Sequence, residues 1–396
     1  MDPRRNPFAP GAGTPPPELA GRSGLIEDAA VALDRIRHGR SARSMIFYGL
    51  RGVGKTVLLT TIRNQAEGEG IVVVAMEAPE NRSLPAMLVP ALRASLLKLD
   101  RMKQAGLAIK RALRALAGFI KPRVRYEGFE IALDFEPEPG LADSGDLETD
   151  LADLIRATGE AAREHGTAIV LAIDELQYVP EEELAALISA LHRASQLQLP
   201  ITLIGAGLPQ LLGQMGRAKS YAERLFAFVP LGALERDAAF DAIRLPLAQE
   251  DAEITDPALS AIFAETQGYP YFLQEWGKHS WDMADSSPID ERDVADASVA
   301  ATAELDASFF RVRFDRLSPA EKRYLRAMAD LGPGPHRSGD IAERLGVKVE
   351  SVAPTRNSLI KKGMVFSPAH GDTAFTVPLF DAFMRRIIPS MNEPRA

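Results

Sequence analysis

The 396-residue sequence contains no cysteine, no long apolar run and no N-terminal apolar segment of the kind that forms a secretory signal. Without cysteine, disulfides and thiolate chemistry are excluded, which fits a reducing compartment. The six histidines are scattered and show no metal-ligand spacing. No apolar stretch reaches about 18 residues, the length that a membrane-spanning helix needs. We therefore expect a cytoplasmic protein with no membrane span.

The charge of the chain is unevenly distributed. Its 46 basic and 54 acidic residues give a net charge of −8, yet the segment from Asp306 onward holds fifteen Lys/Arg against ten Asp/Glu. That local balance of +5 leaves −13 on the remainder of the chain. A basic terminal region on an acidic body indicates that any polyanion is bound by the terminal region.

The most informative motif is a glycine-rich loop between a predicted strand and a predicted helix. The apolar run 44–48 precedes Gly-Leu-Arg-Gly-Val-Gly-Lys-Thr at 49–56, and a helix-like run follows. Strand, G-x-x-x-x-G-K-T and helix is the context of a phosphate-binding loop, with the lysine on the β- and γ-phosphates and the threonine hydroxyl on Mg²⁺. A chance glycine-rich turn is the alternative. The candidate nucleotide contacts are Gly49, Leu50, Arg51, Gly52, Val53, Gly54, Lys55, Thr56 and Val57.

A second motif is an acidic pair after a buried strand. The continuous apolar run 168–173 is typical of a strand buried on both faces of a parallel sheet, and Asp174 and Glu175 follow it. Ligands bind at the carboxyl ends of such strands. We assign Asp174 to the Mg²⁺ shell and Glu175 to orienting and polarising a water. Taken alone, the pair would be read as a solvated acidic turn; the phosphate-binding loop favours the Mg²⁺ interpretation.

The order of predicted elements indicates the fold class. Further strands are predicted at 71–76, 201–206 and 227–230, with helices at 25–37, 147–165 and 181–194. Strands that alternate with helices indicate a parallel, three-layer α/β domain of the P-loop type.

The length predicts about two or three domains. We expect an unstructured tail at 1–17, a P-loop α/β domain at 18–231 with an insert at 83–150, a helical domain at 232–306 and a winged helix-turn-helix at 307–390. In the last of these, Ser318-Pro-Ala-Glu321 predicts a capped helix start, and Ser351 is expected to cap a helix that runs to Lys362. Two short strands bracket a His370-Gly-Asp turn.

The insert has an unusual charge layout. Residues 98–125 hold nine basic residues against Asp100 alone, and 127–150 hold nine acidic residues and no basic one. A hairpin is predicted at 121–135. In one interpretation the charges neutralise one another or lie on a solvated helix face. In the other, the basic residues form an arm that binds an anion or a partner and is masked by the acidic residues. Charge runs are more often solvated faces, which favours the first interpretation.

With these motifs in hand, the chain resembles the AAA+ and STAND P-loop ATPases, in particular the bacterial and archaeal ATPases related to origin-recognition initiators. The loop at 49–56 and the acidic pair are similar to the Walker A and Walker B motifs. The segment 18–22 is similar to the one that reaches the adenine, so the resemblance implies nucleotide contacts by Leu19, Gly21 and Arg22. Gly268-Tyr-Pro270 looks like the lid motif, which adds Pro270. ATP and Mg²⁺ are the implied cofactors.

The resemblance also implies a finger arginine and two sensor residues. Arg224 lies just before the last strand, where this family often places an arginine that completes a neighbouring subunit's site; an ion pair with Glu223 or a nearby carboxylate is the alternative. The strand end at Gly205-Ala-Gly207 lacks the polar sensor, and no lid arginine is evident. Glu77 ends a strand beside the loop and either couples nucleotide state to the body or is a solvated strand end. The two missing sensor residues favour ATP binding over rapid hydrolysis.

Three functions compete. The first is an ATP-controlled switch that repositions the winged helix on DNA through the cations of its helices. The second is a signalling ATPase whose winged helix contacts only protein, through self-association or another partner. The third, a small-molecule kinase, leaves the extra domains unexplained. The candidate DNA-binding residues are Arg344, Arg356, Lys361 and Lys362. The helical spacing of Arg356, Lys361 and Lys362 does not place these three on one stripe, which indicates phosphate contacts rather than base readout.

Overall fold

The computed structural model describes residues 1–11, 13–78, 83–102, 106–120, 136–369 and 371–390. The chain divides into two compact units. The sheet unit comprises Arg22–Gly49 and Lys55–Leu231, and the helical unit comprises Met1–Gly21, Leu50–Gly54 and Gly232–Ala396. Within the described ranges, no helix is long and apolar enough to cross a membrane.

The sheet unit is built on five parallel strands. They are β1 (Ser44–Tyr48), β2 (Val72–Glu77), β3 (Ile169–Asp174), β4 (Ile201–Gly207) and β5 (Phe226–Pro230), in the order β2-β3-β4-β1-β5. Every residue of β3 and β4 is buried, as the unbroken apolar runs predicted. The predicted parallel, three-layer α/β fold is confirmed.

Eight helices precede or connect these strands within the described ranges. They are α1 (Ser23–Arg37), α2 (Lys55–Gly68), α3 (Leu84–Met102), α4 (Leu107–Ile120), α5 (Leu147–Glu164), α6 (Glu181–Gln196), α7 (Gln210–Ala218) and α8 (Ala222–Leu225). Local chemistry sets their starts. The Asp146 side chain accepts a hydrogen bond from Thr149 N–H at 2.8 Å, and three glutamates open α6, where the helix dipole favours negative charge.

The insert contributes to the core of the sheet unit. Helices α3 and α4 lie in the insert, and side chains such as Leu116 and Phe119 are fully buried in the same cluster as the strands. Arg111 pairs with Glu138 at 3.8 Å and with Glu160 at 3.5 Å, which favours neutralisation over a free basic arm for this cation. The predicted hairpin at 121–135 lies outside the described residues.

The helical unit begins with four helices: α9 (Arg236–Gln249), α10 (Asp256–Thr266), α11 (Pro270–Met283) and α12 (Glu291–Leu305). A π-helical turn (Asp306–Phe310) and α13 (Arg311–Asp315) follow. The break before α11 requires glycine, because Gly268 has a φ of +70° and a Cβ there would collide with the carbonyl oxygen of Leu234. Pro270 then starts α11 at the position where its missing N–H costs nothing.

Residues 318–388 form a small terminal module. Its elements are α14 (Pro319–Leu331), β6 (His336–Arg337), α15 (Ser338–Leu345), α16 (Val349–Lys361), β7 (Val365–Phe366), β8 (Asp372–Phe375) and α17 (Phe380–Ile387). The strands pair antiparallel in the order β6-β8-β7. The capping box predicted at Ser318 and Glu321 is present. The expected cap at Ser351 is wrong: α16 starts two residues earlier, and the Ser351 hydroxyl donates to the Lys348 carbonyl at 2.6 Å.

The N-terminal segment, expected to lack regular structure, is instead packed on α11. Phe8 is 4% exposed, and a Cβ at Gly277 would lie 2.8 Å from its ring. The Trp281 indole N–H donates to the Asp2 carbonyl at 2.9 Å, and the Asn6 amide donates to Asp282 at 2.9 Å. The composition of residues 1–17 did not predict this strap, because the partners of Asp2 and Asn6 lie more than 270 residues away in sequence.

The Phe8→Ala variant should detach the strap. Loss of a buried phenyl group costs about 3–5 kcal/mol in well-packed sites. We expect a lower unfolding midpoint in urea and faster amide exchange over residues 2–8. The matched control is Arg4→Ala in the same strap, whose side chain is 90% exposed and should change stability by less than about 0.5 kcal/mol. Equal effects of the two variants would contradict the packing role of Phe8.

Candidate functional site

The glycine-rich loop joins the end of β1 to the first residue of α2. Gly52 and Gly54 have φ angles of +86° and +90°, which glycine adopts without strain. The Gly49 N–H donates to the Gly207 carbonyl at 3.2 Å, which ties the start of the loop to the end of β4. Lys55 is 6% exposed, and its ammonium donates to the Gly49 carbonyl at 2.9 Å. A buried cation at the N-terminus of a 14-residue helix is suited to an anionic group.

Thr56 and Asp174 meet beside this loop. The Thr56 hydroxyl donates to Asp174 Oδ2 at 2.6 Å, and Asp174 is 8% exposed. Burial raises the pKa of Asp174, while hydrogen bonds from Thr56 and from the Glu175 N–H act in the opposite direction. A hydroxyl and a carboxylate oxygen are hard ligands that suit Mg²⁺. No group of three or more His, Cys, Asp or Glu residues suited to a metal occurs in the described part of the chain, so phosphate and water oxygens would complete such a shell.

Glu175 is held in a constrained position next to this pair. Its φ of +51° is left-handed and unusual for a residue with a side chain. Its N–H donates to Asp174 Oδ1 at 2.8 Å, and its carboxylate accepts a hydrogen bond from the Gln177 amide. Sequence reasoning missed Gln177. Glu77 pairs in register with Asp174 and is exposed, as a solvated strand end would be.

The apex of the loop packs within the helical unit. The Tyr269 hydroxyl donates to the Arg51 carbonyl, and the Tyr271 N–H donates to the Gly52 carbonyl at 3.2 Å. A Cβ at Gly52 would lie 3.1 Å from each tyrosine, so glycine permits the close approach. Both tyrosines flank Pro270, the lid residue that sequence analysis selected. The loop apex and the start of α11 are therefore mechanically connected.

Of the residues proposed to reach the adenine, two belong to the helical unit. Leu19 is half-buried. Gly21 has a φ of +68°, and a Cβ added there would lie only 2.9 Å from the Ala238 side chain, so glycine is required. Arg22 precedes α1 in the sheet unit, and burial lowers its pKa. The structure gives each of them a defined environment, and their contact with nucleotide stays a prediction.

Comparison with known proteins agrees with this geometry. Residues 18–204 match the family model described as AAA ATPase domain. These residues form an AAA ATPase domain. Residues 307–384 match a domain of unknown function (DUF8462). A search of curated proteins returned no significant match.

Solved structures share the fold. The Walker-type ATPase PABY2304 of Pyrococcus abyssi superposes with a TM-score of 0.60 at 14% identity, over 94% of this chain and 97% of that one. At this identity the likeness shows the fold alone. The RuvB branch migration motor of Thermotoga maritima covers 90% of this chain and 92% of its own at 16% identity, with a TM-score of 0.44. The Orc1 protein of Aeropyrum pernix, solved with DNA, covers 94% of both chains at 14% identity, with a TM-score of 0.45. The last two scores are too low to support an argument.

Arg224 of the AAA domain's C-terminal flank lies on α8, immediately before β5. It is exposed and makes no ion pair with any described carboxylate, so the alternative ion pair is not observed among the described residues. Arg224 lines a cavity of 260 Å³ together with Arg40 and Arg43. An exposed arginine that forms no ion pair within the described ranges is suited to an anion from outside the chain.

A cation that sequence analysis missed lies in the helical unit. Arg313 on α13 donates to the Phe309 carbonyl at 2.5 Å, and its guanidinium lies 3.9 Å from the centre of the Phe309 ring. Burial, and then the charge of Arg51, lower the pKa of Arg313 to about 10. No described carboxylate forms an ion pair with it. No sequence motif marks this residue, because its environment depends on packing with the loop apex.

Three of the four candidate DNA-binding cations are bound within the terminal module. Arg344 pairs with Asp330 through its Nε at 2.7 Å. Arg356 donates to the Thr373 hydroxyl at 2.7 Å and to the Asp372 carbonyl at 2.9 Å. Lys362 pairs with Glu321 at 2.8 Å. Lys361 is exposed and bonds to none of the described residues. His370, the predicted wing residue, lies outside the described residues.

The exposed face of α16 mixes apolar and polar residues. Val349 is 48% exposed, and Ala353 and Pro354 are also exposed. The other exposed residues of the helix are Glu350, Ser351, Asn357 and the cation Lys361. Arg356, by contrast, donates hydrogen bonds to Thr373 and Asp372 of β8. The helix that was expected to enter the DNA groove therefore presents few cations to solvent.

Glu321 makes the terminal module sensitive to acid. Although burial opposes its ionisation, hydrogen bonds from Lys362, the Ser318 N–H and the Ser358 hydroxyl lower the pKa of Glu321 to about 2. A carboxyl whose pKa is depressed on folding stabilises the folded state above its unfolded pKa of about 4.3, and this stabilisation is lost as the pH falls towards 2.

The Glu321→Gln variant should therefore lose about 2–3 kcal/mol of stability at neutral pH, and the difference from wild type should shrink as the pH falls below about 4. Urea unfolding between about pH 6 and pH 3 measures this. Glu350→Gln, an exposed carboxyl change on α16, should leave the pH dependence unaltered. A wild-type advantage that is constant with pH would contradict the assignment.

Proposed function

We propose that this protein is an ATP-controlled switch in which Mg²⁺ and ATP bound at the AAA domain alter the lid helices and, through them, the terminal module. The observation that supports it is the pair of hydrogen bonds from Tyr269 and Tyr271 to the carbonyls of Arg51 and Gly52. A phosphate that reorganises the loop would disturb these bonds. We take 18–231, 232–306 and 307–390 as ATPase, lid and winged-helix domains.

The residues at the loop have distinct roles in this proposal. Lys55 neutralises phosphate charge, and Thr56 with Asp174 would hold Mg²⁺, which supplies charge neutralisation at the phosphates. Glu175 holds and polarises a water with its carboxylate. Arg313 offers a cation near the loop apex, where sequence analysis found no lid arginine.

The first test removes the phosphate-binding charge and the carboxylate separately. Lys55→Ala should abolish ATP affinity, because it deletes the buried ammonium at the start of α2. Glu175→Gln should retain affinity and lose hydrolysis, since its shape is kept while the carboxylate is removed. Fluorescence titration and phosphate release measure these two effects. Undiminished ATP binding by the Lys55 variant would refute the site assignment.

The second test concerns self-association. We propose that Arg224 completes the site of a neighbouring copy. In other phosphoryl-transfer sites an arginine in this role raises the rate by several orders of magnitude. Hydrolysis per subunit should then rise with protein concentration. Mixing Arg224→Ala with Lys55→Ala protein should partly restore activity. A rate independent of concentration, without complementation, would assign Arg224 to a role within one subunit.

For the output of the switch, the geometry favours protein contact over DNA. The exposed residues of α16 include Val349, Ala353, Pro354 and the acidic Glu350, with Lys361 as the one exposed cation of the helix, whereas Arg356 and Lys362 are bound within the module. Apolar exposed surface is typical of protein interfaces, and DNA interfaces are rich in free cations. DNA binding through Lys361 and the overall +5 charge is the second candidate.

Salt dependence separates the two outputs. If the module contacts protein, binding of a generic DNA duplex should not depend on nucleotide. The Lys361→Ala/Lys362→Ala variant should then bind the duplex as weakly as the wild type does. If the module contacts phosphates, the slope of log K against log salt should fall by about one unit for each lysine removed. Measuring wild type and this variant at several salt concentrations, with and without ATP, decides between them.

A further inference from the structure

Gln177 bridges two elements of the sheet unit. It lies in the 3₁₀ turn Leu176–Tyr178 that follows Glu175, and it is 5% exposed. Its Oε1 accepts a hydrogen bond from the Leu208 N–H, just past β4, at 2.9 Å. Its Nε2 donates to the Glu175 carboxylate. Both ends of one buried amide are thus used, one on the main chain and one on the residue that we assign to polarising water.

The end of β4 is shaped to accept this amide. A Cβ at Gly207 would lie 2.8 Å from Gln177 Oε1 and 2.7 Å from the Leu211 side chain, so only glycine leaves room for both. The same Gly207 accepts the hydrogen bond from the loop residue Gly49. The polar side chain that sequence analysis found missing from this strand end therefore has a counterpart, which comes from the neighbouring turn.

The backbone of Glu175 makes such a restraint necessary. Its left-handed conformation directs the chain sharply away from β3, and the hydrogen bond from its N–H to Asp174 fixes the main chain. Neither feature fixes the direction of the carboxylate. The Gln177 donor does so, and buried amides of this kind are rarely left unsatisfied, which keeps the bridge in place.

We propose that Gln177 is a positioning residue for Glu175: it fixes the carboxylate relative to the end of β4 and takes the place of the missing polar side chain at Gly207. A displacement of the β4 end then changes the orientation of Glu175. The kinetic consequence rests on the proposed ATPase function, whereas the contact itself does not.

The kinetic test uses two substitutions at Gln177 that remove either both hydrogen bonds of its amide or only the one to Glu175. Gln177→Met removes both hydrogen bonds at similar volume. Gln177→Glu keeps an acceptor for the Leu208 N–H and removes the donor to Glu175. Both should lower kcat by about tenfold or more, as loss of a group that orients a catalytic residue does, with ATP affinity changed by less than about threefold. Gln214→Ala is the control, because its amide contacts only the backbone carbonyl of Gln177, at 3.2 Å.

A second measurement needs no nucleotide. In a double-mutant cycle by urea unfolding, Gln177→Met should lower the midpoint more in the wild type than in a Glu175→Ala background, because only the wild type has the contact to lose. Equal effects in the two backgrounds would overturn the proposal. So would wild-type kcat in Gln177→Glu, or an equal loss of kcat in Gln214→Ala. If the wild type hydrolyses no ATP, the proposed activity fails while the cycle still decides the contact.

Discussion

The hydrogen bond between the Thr56 hydroxyl and the buried Asp174 carboxylate is the constraint around which the site is arranged. It joins the first turn of α2 to the end of β3 through two residues that are 118 positions apart in sequence. The two residues can meet because β1, β4 and β3 are successive parallel strands, so that their carboxyl ends lie at one edge of the sheet. The left-handed Glu175 and the Gln177 bridge also lie at this edge, as does Gly49, where the loop starts.

A second constraint concerns how the loop can signal. The carbonyls of Arg51 and Gly52 accept hydrogen bonds from Tyr269 and Tyr271, so the loop apex is bonded directly to the residues at the start of α11. The other side of α11 receives the N-terminal strap through Phe8. One helix thus contacts both the candidate phosphate loop and the segment that leads to the candidate adenine residues, which makes it the natural point of coupling in the proposed switch.

What the sequence predicted follows from how local each signal is. The strands, the loop and the capped start of α14 depend on short-range patterns, and the structure contains them. Phe8 could not be predicted as buried, because its partner Gly277 is distant in sequence. The inward pairing of Arg344 with Asp330 and of Lys362 with Glu321 was missed for the same reason. Helical spacing describes where side chains project, but not which acidic groups of neighbouring helices neutralise them.

The two tryptophans of the chain allow a direct measurement of the proposed coupling. Trp276 and Trp281 both lie on α11, are 1% and 3% exposed, and donate to Ser298 and to the strap carbonyl of Asp2. Titration of the full chain with ATP and Mg²⁺ should change the tryptophan emission, with the same midpoint as ATP binding measured by equilibrium dialysis, and Lys55→Ala should abolish both. If ATP binds and the emission stays constant, nucleotide state does not reach α11 and the switch is contradicted.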